Sequence, residues 1–397
     1  MAFENRGVNV GNREIPLSVP NLGEDIVSNL KECVETGWVS TGGRFIEQFE
    51  KDFASYVNVP SAVSLQSGTS GLHLALKVLR IGEGDGVIVP TLTFIATVNP
   101  LSYVGAVPFF MDCDDTFCMD MEKLERFLKE ECSSAMIHKV TGVHIKAIMP
   151  VHIFGNLCDM EKLMDLADKY GLNVIEDATE CLGSYYLEGK YKGRYGGTVG
   201  DIGVYSFNAN KIITTGGGGM AVAKDKGLLE KIRYLSITAK DDPVYFVHNE
   251  AGFNYRMLNI QAALGVSQLK DLETFIKIKA SNFRRYEELL KGIDGLYLLP
   301  FRNDIRANYW FYSLYVDKEE CGVSRDELMK HLLGSGIQCR PVWRLCHKQK
   351  PYEGFTSYMI EKALDYEANV LNIPCSTNIT FDEISLVCDE IMKGLEK

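Results

Sequence analysis

Residues 61–113 read SAVSLQSGTSGLHLALKVLRIGEGDGVIVPTLTFIATVNPLSYVGAVPFFMDC. Short aliphatic runs (SAVSL, GVIVP, VPFFMDC) alternate with the longer, helix-patterned GTSGLHLALKVLRIG and TFIATVNPLSYVG. Strands separated by amphipathic helices build βαβ units on a parallel sheet. The pattern resumes downstream with AIMPVHIF, a helix over DMEKLMDLADKYG, the strand LNVIED, and the strand GVYSF leading to GMAVAKD. Open α/β sheets bind ligands at the carboxyl ends of their strands, so SGTS, VIED and the loop after GVYSF are expected at one site.

Beyond about residue 265 the pattern changes to charged helices such as KDLETFIKIKASNFRRYEELLKG, then a shorter α+β stretch. The expected organisation is an N-terminal segment over 1–30, a large α/β domain over 31–265, and linking helices with a small α+β domain over 266–397. A chain of 397 residues has ample length for two such cores.

Composition excludes several function classes. A formal charge of −11 with dispersed basic residues opposes binding to a phosphate backbone, so nucleic acid is not an expected partner. No apolar run reaches membrane-spanning length and the first residues lack a signal-peptide core, so no membrane association and a cytoplasmic location are expected. Eleven cysteines, none in CxxC spacing, fit neither a disulfide framework nor a zinc finger, and no metal is expected.

Four local motifs carry chemistry. Ser67, Gly68, Thr69 and Ser70 open a predicted helix, where unpaired N–H groups, hydroxyls and the helix dipole suit a phosphate, although an ordinary N-cap reads the same way. Asp177 ends a buried strand, so its carboxylate needs either a structural salt bridge or a cation from a ligand. Lys211, in SFNANKIITTGGGG, has no acid near it in sequence; it is a candidate nucleophile or a surface lysine before a glycine turn. The lysine precedes the glycines, which is not the order of a P-loop. Asn254 and Arg256, in GFNYRMLNIQAALG, suit an anion or a capping pair. Together these groups match what pyridoxal phosphate (PLP) requires: a phosphate anchor, a carboxylate for the pyridine nitrogen and an amine for the aldehyde.

With those motifs, the segments IPLSVPNLGEDIVSNLKECVETGWVSTGGRFIEQFEKDFASYV, GIQCRPVWRLCHKQKPY and NIPCS make the chain resemble the DegT/DnrJ/EryC1/StrS sugar-nucleotide aminotransferases. The resemblance implies the fold-type I architecture of PLP enzymes, a mostly parallel sheet with flanking helices and a smaller α+β C-terminal domain. It implies that Lys211 bonds to the cofactor's aldehyde and Asp177 pairs with the pyridine nitrogen. Ser67 to Ser70 and Ser206 would hold the phosphate, Phe94 would stack on the ring, and Asn254 would reach the phosphate from the neighbouring subunit of a homodimer with shared sites. Glu180 falls beside the cofactor, where many members have glutamine or histidine, and Gly217 replaces a common glutamate.

The implied reaction takes the amino group of L-glutamate, releases 2-oxoglutarate, and passes the amine through pyridoxamine phosphate to a sugar ketone. SFNANKIITTGGGGM and IEDATECLGSYY are most similar to the legionaminic-acid and bacillosamine subgroup, which aminates C4 of nucleotide-linked 2-acetamido-4-keto-2,4,6-trideoxyhexoses for bacterial surface amino sugars. A GDP-perosamine type substrate is the alternative. Trp38, Arg256, Arg340, Arg344 and His347 are candidates for substrate contacts, each equally readable as a surface or packing residue. A sugar dehydratase of this fold carries histidine at the lysine position, and a regulator that only binds the cofactor or a sugar nucleotide is expected to bring an appended DNA-binding or signalling module, of which the sequence shows no sign.

Overall fold

The computed structural model describes residues 14–396; residues 1–13 of the expected N-terminal segment lie outside it. In chain order the principal strands are β1 (Val63–Leu65), β2 (Asp85–Pro90), β3 (Val107–Met111), β4 (His144–Ile148), β5 (Asn173–Asp177), β6 (Ile202–Ser206), β7 (Gly219–Ala223), β8 (Leu296–Leu298), β9 (Tyr312–Val316), β10 (Arg340–Pro341), β11 (Ser357–Tyr358) and β12 (Val370–Ile373). The large sheet runs β1-β7-β6-β5-β4-β2-β3-β11. All its pairings are parallel except those of β7 with β1 and β6.

The aliphatic runs are buried because both faces of this sheet are covered. In β2, Val87 and Val89 enter one core while Ile88 enters the other; Phe109 and Phe110, and Val174 and Ile175, divide in the same way. Continuous apolar strands are what a sheet sandwiched between helix layers demands. The helix Gly68–Val78 is nearly all buried, whereas Arg44–Tyr56 and Met160–Tyr170 present an apolar stripe inward.

A second, antiparallel sheet runs β8-β9-β12-β10. Ile15 bridges Ile337 beside it, and Cys375 N donates to Leu17 O, which ties the N-terminal segment to this unit. Two expectations need correction. A single helix, Asn259–Leu290, spans the boundary placed between 265 and 266. The late strand β11, assigned to the small unit, pairs in parallel with β3 and closes the large sheet instead. The Asp112 carboxylate holds that return in place: it accepts N–H bonds from Glu361, Lys362 and Ala363 at 2.8, 2.9 and 2.8 Å, and an ion pair from Lys123.

The strand expected over AIMPVHIF stops at Ile148. Pro150 has no N–H for a ladder. Phe154 lies in the left-handed region at φ 55°, so the chain turns across the sheet edge there. Among the described residues no helix is long and apolar enough to cross a membrane.

Candidate active site

Three strand ends build the site. β5 and β6 are parallel neighbours, which sets Asp177 beside the end of β6. β1 is antiparallel to β7, and β7 to β6, so two reversals bring the end of β1 to the same sheet edge. Gly219 pairs with both Leu65 and Ser206. A Cβ on it would sit 2.5 Å from the Ser67 carbonyl carbon, so glycine is what lets the loop after β1 descend over the sheet. Lys211 lies in the turn between β6 and β7.

These groups line one cleft of about 630 Å³, with Ser67, Gly68, Thr69, Asp177, Ser206 and Lys211 in its wall. Phe94, Glu180, Gly217, Arg340 and Arg344 also line it. The Ser67 hydroxyl caps the Gly68–Val78 helix, accepting from Ser70 N at 3.0 Å, while Ser70 Oγ donates back to Ser67 O at 2.8 Å. This reciprocal cap turns Ser70 inward, so it is not a cleft residue. The Gly68 and Thr69 backbone amides with the Thr69 and Ser206 hydroxyls remain as the anion cradle. A Cβ on Gly68 would lie 2.8 Å from Thr179 Cγ2 and 3.1 Å from Ser206 Cβ, so a side chain there would fill the cradle.

Asp177 is 2% exposed. Its carboxylate accepts from Thr97 Oγ1 at 2.7 Å and Thr179 N at 3.1 Å, and makes no ion pair with a described residue. Of the two outcomes open from sequence, the structural salt bridge is therefore absent. A buried carboxylate held by two donors and pointed into a cleft is complementary to a cationic ring nitrogen.

Lys211 Nζ lies 3.5 Å from Glu180 Oε1 and 3.9 Å from the centroid of the Trp310 ring. Glu180 is buried, and its other oxygen accepts from Phe154 N at 2.9 Å. Burial pushes its pKa up to about 7, against the pull of the Lys211 ammonium and the Phe154 amide. Opposite, Phe154, Phe311 and Trp343 form an aromatic wall, with Trp343 4.8 Å from Phe154 and 6.3 Å from Phe94 between ring centroids. Phe94 lines the cleft and is half exposed.

Several expected contacts lie elsewhere. Arg256 is buried with Nη1 2.5 Å from Glu50 Oε1, because Glu50 on the Arg44–Tyr56 helix is itself buried and needs a cation. His347 does not line the cleft; its Nδ1 bonds Thr91 Oγ1 at 2.6 Å, and burial together with Lys348 holds its pKa below the usual range. Trp38 is largely exposed outside the cleft. Asn254 is exposed, bridges Ile237 through its backbone, and cannot serve the cleft of its own chain. A Cβ on Gly217 would meet nothing closer than 3.7 Å, so the cleft has room for a longer side chain there. Among the described residues no cluster of metal-ligating side chains is present.

Sequence reasoning missed Thr97, Phe154, Trp310 and Trp343. Phe154 falls in AIMPVHIF but lies beyond the end of β4, and Trp310 precedes β9, which begins only at Tyr312. The one legible signal was the aromatic density of NYWFYSLYV, which is equally a core signature.

Comparison with known proteins agrees with this geometry. GDP-perosamine synthases of Caulobacter vibrioides (strain ATCC 19089 / CIP 103742 / CB 15) and Escherichia coli O157:H7 are 36% and 37% identical over 383 and 380 residues. Those matches cover 95% of this chain in each case, and 98% and 97% of the relatives. The crystal structure of the aminotransferase TlmJ from Streptoalloteichus hindustanus superposes with a TM-score of 0.87 at 27% identity, covering 96% of this chain and 99% of that one. The model of the DegT/DnrJ/EryC1/StrS aminotransferase family matches residues 20–392, and the chain belongs to that family.

Proposed function

We propose that this protein transfers the amino group of L-glutamate to C4 of a nucleotide-linked 4-keto-6-deoxy sugar. It is a sugar aminotransferase, and pyridoxal phosphate is its cofactor. The observation that carries the reading is Asp177: a buried, hydrogen-bonded carboxylate without a cationic partner among the described residues, lining the same cleft as Lys211. The cofactor, when bound, supplies the electron sink that lets an amino group and a proton change places. Asp177 would hold the pyridine nitrogen protonated. At about 3 Å and an effective dielectric near 20 that interaction is worth roughly 5 kcal/mol. The Gly68 and Thr69 amides with Ser206 would hold the phosphate, and Lys211 would move the proton.

Arg340 and Arg344 support the nucleotide part. Both line the cleft, and neither has a carboxylate partner among the described residues. Guanidinium groups left without acids suit a diphosphate. The aromatic wall of Phe154, Phe311 and Trp343 suits the apolar face of a deoxy sugar. The motif resemblance favours the 2-acetamido-2,4,6-trideoxy form, for bacterial surface amino sugars; the GDP-perosamine synthase relatives favour a GDP-linked sugar with a 2-hydroxyl as the second reading.

The test is a panel of 4-keto sugar nucleotides with glutamate, read by product mass. We expect amination of a 4-keto-6-deoxy sugar nucleotide and at least a hundredfold lower turnover of pyruvate, because a site built for polar sugar groups is left with unpaired donors by a small acid. Arg340→Ala and Arg344→Ala should raise KM for the sugar nucleotide more than for glutamate. Equal use of pyruvate and sugar nucleotide refutes the reading.

The homodimer is part of the proposal. Asn254 sits beside the ribbon Lys240–Asp242/Val247–His248, whose tip exposes Val244, Tyr245 and Phe246 at 73, 81 and 69%. Three adjacent apolar side chains in water mark a contact surface. Lys211→Ala and Asn254→Ala chains, each impaired as homodimers, should regain up to about a quarter of wild-type activity when mixed, since random pairing makes half the dimers mixed with one intact site each. Mixed dimers that form and remain inactive refute the shared site.

A further inference from the structure

Lys211, Glu180 and Trp310 come from three separate segments, after β6, after β5 and before β9, and meet at the cleft. The indole is fixed from both ends: Nε1 donates to Asn210 O at 2.7 Å, and its backbone N donates to Asn308 Oδ1 at 2.9 Å. The Asn308 side chain also donates to Glu180 O at 2.9 Å and Leu182 O at 3.0 Å. One buried asparagine thus sets both the ring and the backbone that carries the carboxylate. The Phe154 amide that meets Glu180 Oε2 belongs to a residue in a left-handed conformation, which is unfavourable for a non-glycine residue. Gly155 follows at φ 102°, and a Cβ on it would lie 2.0 Å from Asn308 Oδ1. The chain is thus bent where, among the described residues, the Glu180 carboxylate receives that amide.

We propose that Trp310 and Glu180 form a seat for the amino group of Lys211 while it is not bonded to the cofactor, and that Glu180 exchanges a proton with it there. The inference rests on Lys211 being the cofactor's lysine. In the exchange an N–H bond of the ammonium breaks, its electron pair stays on nitrogen, and the proton forms an O–H bond at Glu180 Oε1. An ion pair becomes a neutral amine and a neutral acid, and nothing is oxidised or reduced. The ring holds the ammonium through its π face but has little hold on the amine, so the same transfer that arms the base also releases it. A glutamine at 180 could make the hydrogen bond and could not take the proton.

The groups facing Glu180 account for its readiness. Burial raises its proton affinity, the Lys211 ammonium and Phe154 amide lower it, and the neighbouring Asp177 carboxylate raises it, leaving its midpoint near neutrality. The contact at 3.5 Å sets donor and acceptor of that proton side by side.

The test uses cofactor-free protein with 13C-labelled glutamate carboxyls and follows the Glu180 signal by NMR as pH is varied. The signal is assigned by its loss in Glu180→Gln. In wild-type protein the midpoint is expected near 7. Lys211→Met should bind the Glu180 proton about tenfold more tightly, because the ammonium that opposes protonation is gone. Lys211→Gln should do the same, and Trp310→Leu should move the midpoint in that direction by less. A Glu180 midpoint that stays where it is in both Lys211 variants overturns the pair. The titration needs neither cofactor nor sugar, so a wrong substrate leaves it standing, and an unmoved midpoint overturns it even if amination is confirmed.

Discussion

Lys211→Ala is expected to abolish transfer while leaving the fold intact. Removing the group that moves the proton costs about 10²–10⁴-fold by itself, and losing the covalent tether to the cofactor adds to that. The side chain is only slightly exposed and contacts Glu180 and Trp310, so truncation leaves a small void, one lost ion pair and one lost cation–π contact. The measurement is single-turnover release of 2-oxoglutarate from glutamate. Borohydride reduction of wild-type holoenzyme followed by peptide mapping should place the pyridoxyl group on Lys211. Finding it on Lys192 or Lys224, both exposed, would remove Lys211 from its role.

Asp177→Asn should slow transfer by roughly several thousandfold, from the loss of about 5 kcal/mol of attraction to the ring nitrogen. The same substitution should stabilise the cofactor-free protein. The amide oxygen can still accept from Thr179 N, and its NH2 can donate to Thr97 Oγ1, which then turns to Thr93 Oγ1 at 2.9 Å. A buried charge with no counter-ion among the described residues is thereby removed, a gain of about 1–3 kcal/mol. Thermal unfolding of cofactor-free protein should show Asn above Asp; with cofactor bound the order should reverse. An asparagine variant less stable without cofactor would mean that Asp177 is paired for the fold's own sake.

Much of the sheet was legible in sequence because its strands are buried on both faces and its helices are amphipathic, so the period changes sharply at each junction. Gly68, Asp177, Ser206 and Lys211 were legible for a related reason: each sits at a strand end followed by a break in pattern. The cleft's aromatic residues were not, since Phe154, Trp310 and Trp343 look like core until their neighbours in space are known. Arg256 was misleading because its partner, Glu50, lies on a helix far away in sequence, and no local pattern announces a buried acid. Gly217 and Glu180 were visible as departures, yet only the fold shows open space beside one and a lysine beside the other.

The pairing of β11 with β3 bears on synthesis. The outer edge of β3 gains its partner only when residues 357–358 leave the ribosome, long after Met111 has emerged. At about 5–20 residues per second that interval is some tens of seconds. Throughout it the nascent chain carries an unpaired, aliphatic strand edge, the kind of surface that recruits other chains. The Asp112 carboxylate waits through the same interval for the three amides of residues 361–363. A chain released early by a stop codon before residue 357 would thus keep most of its cofactor cleft in sequence and still leave that edge open, making truncated products substrates for chaperones and proteases.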